Sequence, residues 1–357
     1  MLIRSVDAAA KIVTGLAWPE VEQQDRLGLE AEAFVVISRN GTPAGRLRLP
    51  EVLNLVDQAA RRASFLRPRE DGAYRFETTP GGQITFEPGA QIEHSTSPSG
   101  STAVLESELR MAVEQLRESF TEASSALVSL GVDPWHDTDS VPQQLPLPRY
   151  RTMDRYFASR WPSGAVMMRN TCALQVNIDA GSGDVRAERW LAANLISPLL
   201  TAIFACSPLA GMKSRRAAVW QELDRTRTGL PEWRSVGDAA PISDCLNRAL
   251  KANVMFILRD GWAKPGSPGW TFQDWIEEGH PEAGPPTVAD LEAHLTTVFF
   301  EVRPRNGVLE MRAPDGMPSR WWMVPLVVAG SVLYDDRARS ALIDLLEPLA
   351  GDLHSFW

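Results

Sequence analysis

Alternating apolar and polar residues predict three strong β-strands in this chain. They cover residues 26–37, 84–93 and 167–180, and a Pro-Gly corner interrupts the second. Each has one apolar face suited to a core and one polar face. The polar faces carry these acidic and amide side chains: Glu30, Glu32, Glu87, Gln91, Glu93, Gln175 and Asn177.

A β-hairpin is predicted over residues 297–313, because Asn306-Gly307 is typical of a two-residue type I′ turn. Opposite charges that face each other across a hairpin stabilise it by roughly 0.2–1 kcal/mol per pair. Stabilisation of the hairpin is one explanation of its charges, and a role of these charges in a functional site is the other. The two explanations have equal weight. The turn sets two such pairs face to face: Arg303 with Glu310, and Glu301 with Arg312.

Helical periodicity, capping residues and helix breakers predict that most of the remaining chain forms helices. A further strand is expected over 251–258, and the glycine- and proline-rich segment 261–286 is expected to be a loop. No repeat or linker divides the chain, so residues 1–357 are predicted to form a single domain. The predicted helices are a short one ending near residue 18, then 50–62, 103–130, 186–206, the first part of 213–229, 321–333 and 336–349.

The composition is that of an acidic globular protein. Its net charge of −9, from 36 basic and 45 acidic residues, argues against general nucleic-acid binding. The three cysteines show no metal-type spacing, and their odd, low number fits a reducing compartment. No signal peptide is apparent, and the apolar run 323–333 is too short to span a bilayer. We therefore expect a cytoplasmic protein without nucleic-acid or membrane partners.

The acids on the polar strand faces have two explanations. Any single pair is most simply the solvated half of an antiparallel strand. Acidic pairs on three separate strands, however, also suit Mg²⁺, which takes oxygen ligands and often binds through carboxylates together with phosphate oxygens. A sheet that is concave on its polar face brings such acids together.

Residues 213–229 concentrate five basic side chains within fifteen residues, which is unusual in an acidic protein. They form either a salt-bridged helix surface or a clamp for carboxylate or phosphate groups, to which the planar arginine fork is suited. The chain has no Walker A motif, no G-x-G-x-x-G after a strand and no G-x-S-x-G. ATP binding would therefore require a site without a P-loop.

Together, these motifs resemble glutamate–cysteine ligases of the plant and proteobacterial type, and within that group the ligases of ergothioneine biosynthesis. The strings E-P-G-x-Q-x-E and Q-V-N-x-D are specific in combination, whereas a lone E-x-E is weak. The similarity runs in family order across most of the chain. The matching segments are 28–32, 87–93, 148–153, 167–168, 175–179, 214–229, 294–297, 302–305 and 309–312.

The resemblance implies an ATP-dependent carboxylate–amine ligase with small-molecule substrates. In such enzymes the side-chain carboxylate of glutamate attacks the γ-phosphate of ATP, and the amino group of cysteine then displaces phosphate from γ-glutamyl phosphate. The products are γ-glutamylcysteine, ADP and phosphate. Positioning and charge neutralisation by Mg²⁺ and arginines suit this chemistry, and no protein nucleophile is needed.

The resemblance also implies roles for individual residues. Arg312 would hold phosphate oxygens, Arg216 would bind a substrate carboxylate, and Trp220 would shape that pocket. Arg227 and Arg303 are weaker candidates for substrate binding, and Arg215 competes with its neighbour Arg216 for the carboxylate role. Gln91, Gln175 and Asn177 would form the floor of the site. The implied Mg²⁺ ligands are Glu30, Glu32, Glu87, Glu93 and Glu310.

The expected fold is α+β, with a curved, mostly antiparallel sheet whose concave polar face holds the site and with helices packed outside, as in glutamine synthetase and glutamate–cysteine ligase. Two alternatives remain open: a ligase that joins glutamate to a different amine, and a homologue that binds ligands without catalysis. The expected assembly is a monomer or a homodimer. Intact acids at all five implied metal positions argue against a non-catalytic homologue.

Overall fold

The computed structural model describes residues 1–19, 24–62, 64–67, 74–209, 211–231, 240–259 and 262–355. Within these residues the chain alternates between helices and short strands. Two 3-10 helices, Ser319–Trp321 and Glu347–Ser355, accompany the last α-helices. The α-helices are α1 Val6–Ala17, α2 Leu49–Arg62, α3 Thr102–Glu122, α4 Pro148–Arg160, α5 Ser163–Asn170, α6 Gly183–Ile203, α7 Arg215–Gln221, α8 Pro241–Lys251, α9 Phe272–Glu278, α10 Val288–Leu295, α11 Met323–Tyr334 and α12 Asp336–Leu346.

Most strands belong to one nine-stranded sheet with the order β12-β13-β7-β1-β5-β4-β3, to which β2 and β6 add by pairing with β1. Every pairing in this sheet is antiparallel. The strands are β1 Leu27–Arg39, β2 Thr42–Arg46, β3 Phe76–Glu77, β4 Gln83–Phe86, β5 Ile92–Ser95, β6 Ser125–Val128, β7 Leu174–Asp179, β8 Thr228–Gly229, β9 Phe256–Arg259, β10 Trp262–Pro265, β11 Phe299–Phe300, β12 Val302–Arg305 and β13 Val308–Met311.

The sheet and its helices confirm the predicted α+β fold with a mostly antiparallel sheet. The apolar face of the central strands packs against α6 and α11 in the largest core cluster, which contains Leu29, Val176 and Leu309. The acids of β1 are on the opposite face, as strand alternation requires. None of the described helices combines the length and the apolar character that a membrane-spanning helix requires.

The predicted hairpin is present as β12 and β13. Asn306 and Gly307 both have positive φ, at 51° and 76°, as a type I′ turn requires. The observed register pairs Arg303 with Glu310, which confirms the predicted pair. One step further along, the backbone N–H of Arg312 donates to the Glu301 carbonyl at 2.9 Å, which continues the same register.

The predicted helix over 103–130 is too long. Helix α3 ends at Glu122, and Ser124 adopts a positive φ of 53° that reverses the chain. Residues 125–128 then form strand β6 against the second half of β1, with Phe34 opposite Val128. The helical prediction failed here because pairing with a distant strand outweighs local periodicity.

Two further predictions also differ from the structure. The segment predicted as one strand from residue 167 begins as helix α5, and the strand β7 starts only at Leu174. The predicted loop 261–286 contains β10 and α9, within its described part. A capping box, in which the side chains of Thr271 and Asp274 each bond the other residue's backbone N–H, starts α9. The Thr-x-x-Asp spacing was therefore the signal that sequence reading overlooked.

Candidate active site

A cavity of about 260 Å³ opens over the polar face of the sheet. It lies between the acids of β1, β5 and the β4–β5 corner on one side and helices α4, α5 and α7 on the other. Most of the residues predicted for a site are in its wall, although they are spread over the chain. These are Glu30, Glu32, Glu87, Gln91, Glu93, Gln175, Arg216, Trp220, Arg303 and Arg312.

The predicted strand–corner–strand unit brings Glu87 and Glu93 to this cavity. Strands β4 and β5 pair in a hairpin, and the Glu87 backbone N–H donates to the Gln91 carbonyl at 2.9 Å across the corner. A side chain cannot be added at Gly89, because its Cβ would come within 2.3 Å of the Arg169 carbonyl oxygen. The corner is therefore packed tightly against the end of helix α5.

The four acids at the cavity impede one another's ionisation. Burial raises the pKa of Glu32 to about 7, and the charge of Glu87 adds to the shift. The pKa of Glu93 is raised well above its usual range by burial first and then by the charges of Glu30, Glu87 and Glu32. Burial also raises the pKa of Glu30 and of Glu87, while hydrogen bonds to Glu93 partly oppose the rise. Arg312 opposes the rise of the pKa at both Glu32 and Glu87, so burial and the clustering of the acids outweigh the nearby positive charge.

Amide side chains lie among these acids. Asn177 Nδ2 donates to Glu30 at 3.0 Å, and Gln175 Nε2 lies 3.4 Å from a Glu32 oxygen. The backbone N–H of Ala173 donates to the other Glu32 oxygen at 2.8 Å. Gln91 donates to the Thr171 carbonyl at 3.0 Å, while its buried Oε1 has no partner among the described residues.

Glu310 holds two arginines at the edge of the cavity. Its Oε2 accepts from Arg303 at 2.7 Å, and its Oε1 accepts from Arg312. Burial acts to raise the pKa of Glu310, but the two guanidinium groups outweigh it and lower the pKa to about 2. Arg312 also donates to the Gln175 oxygen, so its guanidinium group is fixed from two sides.

The structure decides between the adjacent arginines of α7. Arg216 is buried in the cavity wall, and its Nη2 donates to the Arg312 carbonyl at 3.0 Å. Arg215 instead pairs with Glu222 at 2.8 Å, away from the cavity. The rings of Trp220 lie below both Arg216 and Arg312, whose guanidinium carbons are 5.9 Å and 5.3 Å from the centroid. Of these two arginines Arg216 is therefore the one that lines the cavity, and its binding of a substrate carboxylate stays a prediction.

Three predicted site residues do not line the cavity. Asn177 and Glu310 lie behind the residues of the cavity wall. Asn177 donates a hydrogen bond to Glu30, and Glu310 accepts hydrogen bonds from Arg303 and Arg312. Both Glu310 oxygens are engaged by arginines, so this geometry does not support the prediction of a direct metal ligand. Arg227, predicted as a weaker candidate for substrate binding, does not lie at the cavity. Its guanidinium group is fully buried and bonds to Asp224 and to the carbonyls of Thr297 and Asn253.

The acids are not arranged as a ready metal cage. Within the part of the chain that the structure describes, no three His, Cys, Asp or Glu side chains are positioned to hold one ion. The carboxylates instead interact with one another, with amides and with arginines. Their carboxylate oxygens nevertheless fit a hard divalent cation.

Sequence reasoning assigned no role to several residues of the cavity wall. Arg149 and Tyr150 begin helix α4, and Pro148 at its first position was the available sequence signal for that start. The other unassigned residues are mostly apolar, and they became cavity residues only through packing. They are Met153, Met167, Met168, Thr171, Ala173, Thr296, Phe299 and Arg305.

Comparison with known proteins places the chain among ligases. Residues 26–357 match the family model described as glutamate-cysteine ligase family 2. The chain is 36% identical to the glutamate–cysteine ligase EgtA of Mycolicibacterium smegmatis, over 76% of this chain and 64% of the relative. It is 32% identical to EgtA of Mycobacterium tuberculosis, over 98% of this chain and 82% of the relative.

More distant matches extend the comparison. The chloroplastic glutamate–cysteine ligase of Medicago truncatula is 30% identical over 73% of this chain and 52% of its own length, so the match spans about half of the plant protein. The glutamate–cysteine ligase of Francisella tularensis, solved with AMP, has a TM-score of 0.39 at 11% identity, over 94% of this chain and 84% of that one. That structural likeness is too weak to carry an argument. On the family match and the mycobacterial relatives, this chain belongs to the glutamate–cysteine ligase family 2.

Proposed function

We propose that this chain is an ATP-dependent ligase that joins the γ-carboxylate of glutamate to the amino group of cysteine. The observation that carries the proposal is the cavity in which buried and half-buried carboxylates face arginines across a single space. Relatives named glutamate–cysteine ligase, similar over most of the chain, support the choice of substrates. We further propose that the chain acts as one catalytic domain, since the acids of the site come from strands of the single large sheet and from the corner between two of them.

The donor set fits Mg²⁺. Glu30, Glu32, Glu87 and Glu93 supply carboxylate oxygens, and Gln91 lines the same space. Burial first, and then the charges of neighbouring acids, raise the pKa values of Glu32 and Glu93. A bound Mg²⁺ would neutralise the charge that develops on transferred phosphate. We assign Glu310 to orienting Arg303 and Arg312 rather than to the metal.

The arginines orient the reacting groups. Arg312, fixed by Glu310 and Gln175, is placed to hold phosphate oxygens. Arg216, braced on the Arg312 carbonyl and above Trp220, is placed to bind a substrate carboxylate. The apolar wall on the helix side limits the water that can compete with the amine for an activated carboxyl group.

The proposed reaction has two steps. A γ-carboxylate oxygen of glutamate bonds to the γ-phosphorus of ATP as the bond from that phosphorus to ADP breaks. The cysteine nitrogen then bonds to the acyl carbon, phosphate leaves, and the nitrogen loses its proton. Both steps rely on positioned charges rather than on a protein nucleophile.

The test is release of ADP by the purified chain with ATP, Mg²⁺ and glutamate across a panel of amines. We expect turnover with cysteine well above turnover with serine, alanine and glycine, together with mass-spectrometric detection of γ-glutamylcysteine. Strong preference for another amine would replace cysteine as the acceptor and leave the ligase chemistry in place. Absence of ADP release with every amine would reject the ligase itself.

A further inference from the structure

Asp315 lies in the segment that follows β13, behind the wall of the cavity rather than in it. Its side chain is 1% exposed. Oδ2 accepts from the Ser207 hydroxyl at 2.6 Å and from the backbone N–H of Cys206 at 2.8 Å. Oδ1 accepts from the Ser214 hydroxyl at 2.9 Å. One buried carboxylate thus holds the chain that leaves α6 and the residue that precedes α7, and the proposed reaction gives it no role.

The two serine hydroxyls pass this constraint on to helix α7. Ser214 is the N-cap of α7, and its Oγ accepts from the Ala217 N–H at 2.9 Å. The Ser207 Oγ accepts from the backbone N–H of Arg216 at 3.1 Å. The first N–H groups of a helix have no partner within the helix, so such acceptors fix its first turn. Each hydroxyl donates its own proton to Asp315, which therefore orients both acceptors.

The backbone of Asp315 is fixed to the central sheet. It forms a β-bridge with Ala173, and the N–H of Gly316 donates to the Cys172 carbonyl at 2.9 Å. The N–H of Ala173 is also the group that donates to Glu32 in the cavity wall. The first turn of α7 is thus tied, through one carboxylate, to the backbone that holds an acid of the site.

Asp315 does not use up the guanidinium group of Arg216. Arg216 Nη1 is 3.9 Å from Asp315 Oδ1, which is longer than a hydrogen bond. Nη1 and Nη2 instead donate to the carbonyls of Ala313 and Arg312, at 3.5 and 3.0 Å. Asp315 therefore sets the place of the Arg216 backbone without occupying the side-chain donors that suit a carboxylate.

We propose that Asp315 is a positioning residue for Arg216, which acts through the hydroxyls of Ser207 and Ser214. This rests on the proposed function, in which Arg216 binds the carboxylate of an amino-acid substrate. A guanidinium group held in place before the substrate arrives binds more tightly than one that must be ordered on binding. Loss of Asp315 should therefore weaken the binding of that amino acid and leave the binding of ATP unchanged.

The test measures kcat and the KM values of glutamate, cysteine and ATP from ADP release. Arg216→Met first identifies the amino acid that Arg216 binds, as the one whose KM rises the more. For Asp315→Ala we expect that same KM to rise roughly fivefold or more, with kcat and the KM for ATP within about twofold of wild type, because a carboxylate away from the reacting atoms is bound equally before and in the transition state. Asp315→Asn keeps an oxygen acceptor for Ser207 and should recover most of the loss.

A double-mutant cycle separates positioning from general support of the fold. In the Arg216→Met background, Asp315→Ala should change the KM of that amino acid by less than about twofold, because the group that it positions is gone. A residue that only supports the fold would change this KM in both backgrounds, and would change kcat and the KM for ATP with it.

Asp315→Ala leaves buried donors without an acceptor, so melting temperatures must show that it folds. Ser214→Ala breaks a single link and provides the same test, with a smaller rise in KM, if Asp315→Ala does not fold. The matched control is Ser5→Ala, which removes the same kind of cap from α1, where the Ser5 Oγ accepts from the Ala8 N–H at 3.2 Å. It should leave every constant unchanged.

Each outcome bears on a different statement. If folded variants at 315 and 214 keep the wild-type KM, or if their loss persists in full in the Arg216→Met background, the positioning role is overturned while the ligase proposal stands. The same follows if Arg216→Met raises neither amino-acid KM. If wild type releases no ADP with any amine, the proposed function falls and the role of Asp315 falls with it.

Discussion

Glu32 on β1 lies directly opposite Glu93 on β5, at the wall of the main cavity. Like charges that face each other across an antiparallel pair destabilise it. The charge of Glu32 contributes to the raised pKa of Glu93, after burial and the charges of Glu30 and Glu87. The pKa of Glu32 is itself raised by burial and then by the charge of Glu87. The sheet does not need two acids at this position for its own stability, and their placement therefore supports the proposed Mg²⁺ site.

Removing one of these acids should stabilise the metal-free protein and abolish its response to Mg²⁺. For Glu93→Gln we expect the free energy of unfolding without metal to rise by about 1 kcal/mol above neutral pH, because one of the repelling charges is gone. Wild type should gain stability as Mg²⁺ is added, and the variant should not. Urea denaturation with and without Mg²⁺ measures both effects.

The matched control is Glu118→Gln, which neutralises an exposed acid on helix α3. It should behave as wild type in both conditions. Equal stabilisation of wild type and Glu93→Gln by Mg²⁺ would contradict the metal role assigned to Glu93.

The two adjacent arginines of α7 should differ sharply in their effect on catalysis. Arg216→Met removes a guanidinium group from the cavity wall, and kcat/KM should fall roughly 10²–10³-fold. Arg215→Met removes only the surface pair with Glu222, so its kcat/KM should stay within about twofold. Steady-state ADP release with glutamate and cysteine measures both. A larger loss in Arg215→Met than in Arg216→Met would reverse the assignment.

The corner between β4 and β5 should depend on an ion pair behind it. Arg46 binds Asp133 at 3.0 Å, with side chains 3% and 0% exposed, and also donates to the Gly89 carbonyl at 2.8 Å. Arg46→Met leaves the buried Asp133 carboxylate without its arginine partner, with His136 as the remaining side-chain partner, so we expect a loss of about 3 kcal/mol in the free energy of unfolding.

Urea denaturation of Arg46→Met measures this loss. The comparison is Arg62→Met, which breaks an exposed pair with Glu122 and should lose less than about 1 kcal/mol. A loss of similar size in both variants would show that the buried Arg46–Asp133 pair contributes no more to the free energy of unfolding than the exposed Arg62–Glu122 pair.

His294 should make the fold sensitive to acid. Burial first, and then the charge of Arg227, lower its pKa from 6.5 to about 3, while a bond to the Ala249 carbonyl and the charge of Asp224 oppose the shift. The unfolded chain therefore binds a proton near pH 6.5 and the folded chain does not. The stability that neutral His294 provides is complete above pH 6.5 and declines as pH falls toward 3, by up to about 1.4 kcal/mol per pH unit.

The measurement is the free energy of unfolding between pH 7 and pH 4 for wild type and His294→Gln. Glutamine does not titrate, so the variant should lose less stability than wild type over that interval. Identical slopes would mean that His294 does not contribute to acid sensitivity.

Local pattern was sufficient where a strand has one buried and one polar face. The acids of β1, the amides of β7 and the Arg303–Glu310 pair were all predicted on the correct faces, because side-chain direction repeats every two residues. The Asn306-Gly307 turn fixed the hairpin register for the same local reason. Predictions failed where contacts between distant segments determine the secondary structure. Residues 125–128, predicted as part of a helix, form a strand because they pair with β1.

The sequence by itself determined which residues are acidic, basic or apolar on each strand face, and so the kind of chemistry that this protein can perform. Only the tertiary structure decided that Glu32 meets Glu93, that Arg216 rather than Arg215 reaches the cavity, and that Arg227 is buried elsewhere. The physical reason is range: strand periodicity acts between near neighbours in the chain, whereas a site is formed by packing between segments far apart in sequence.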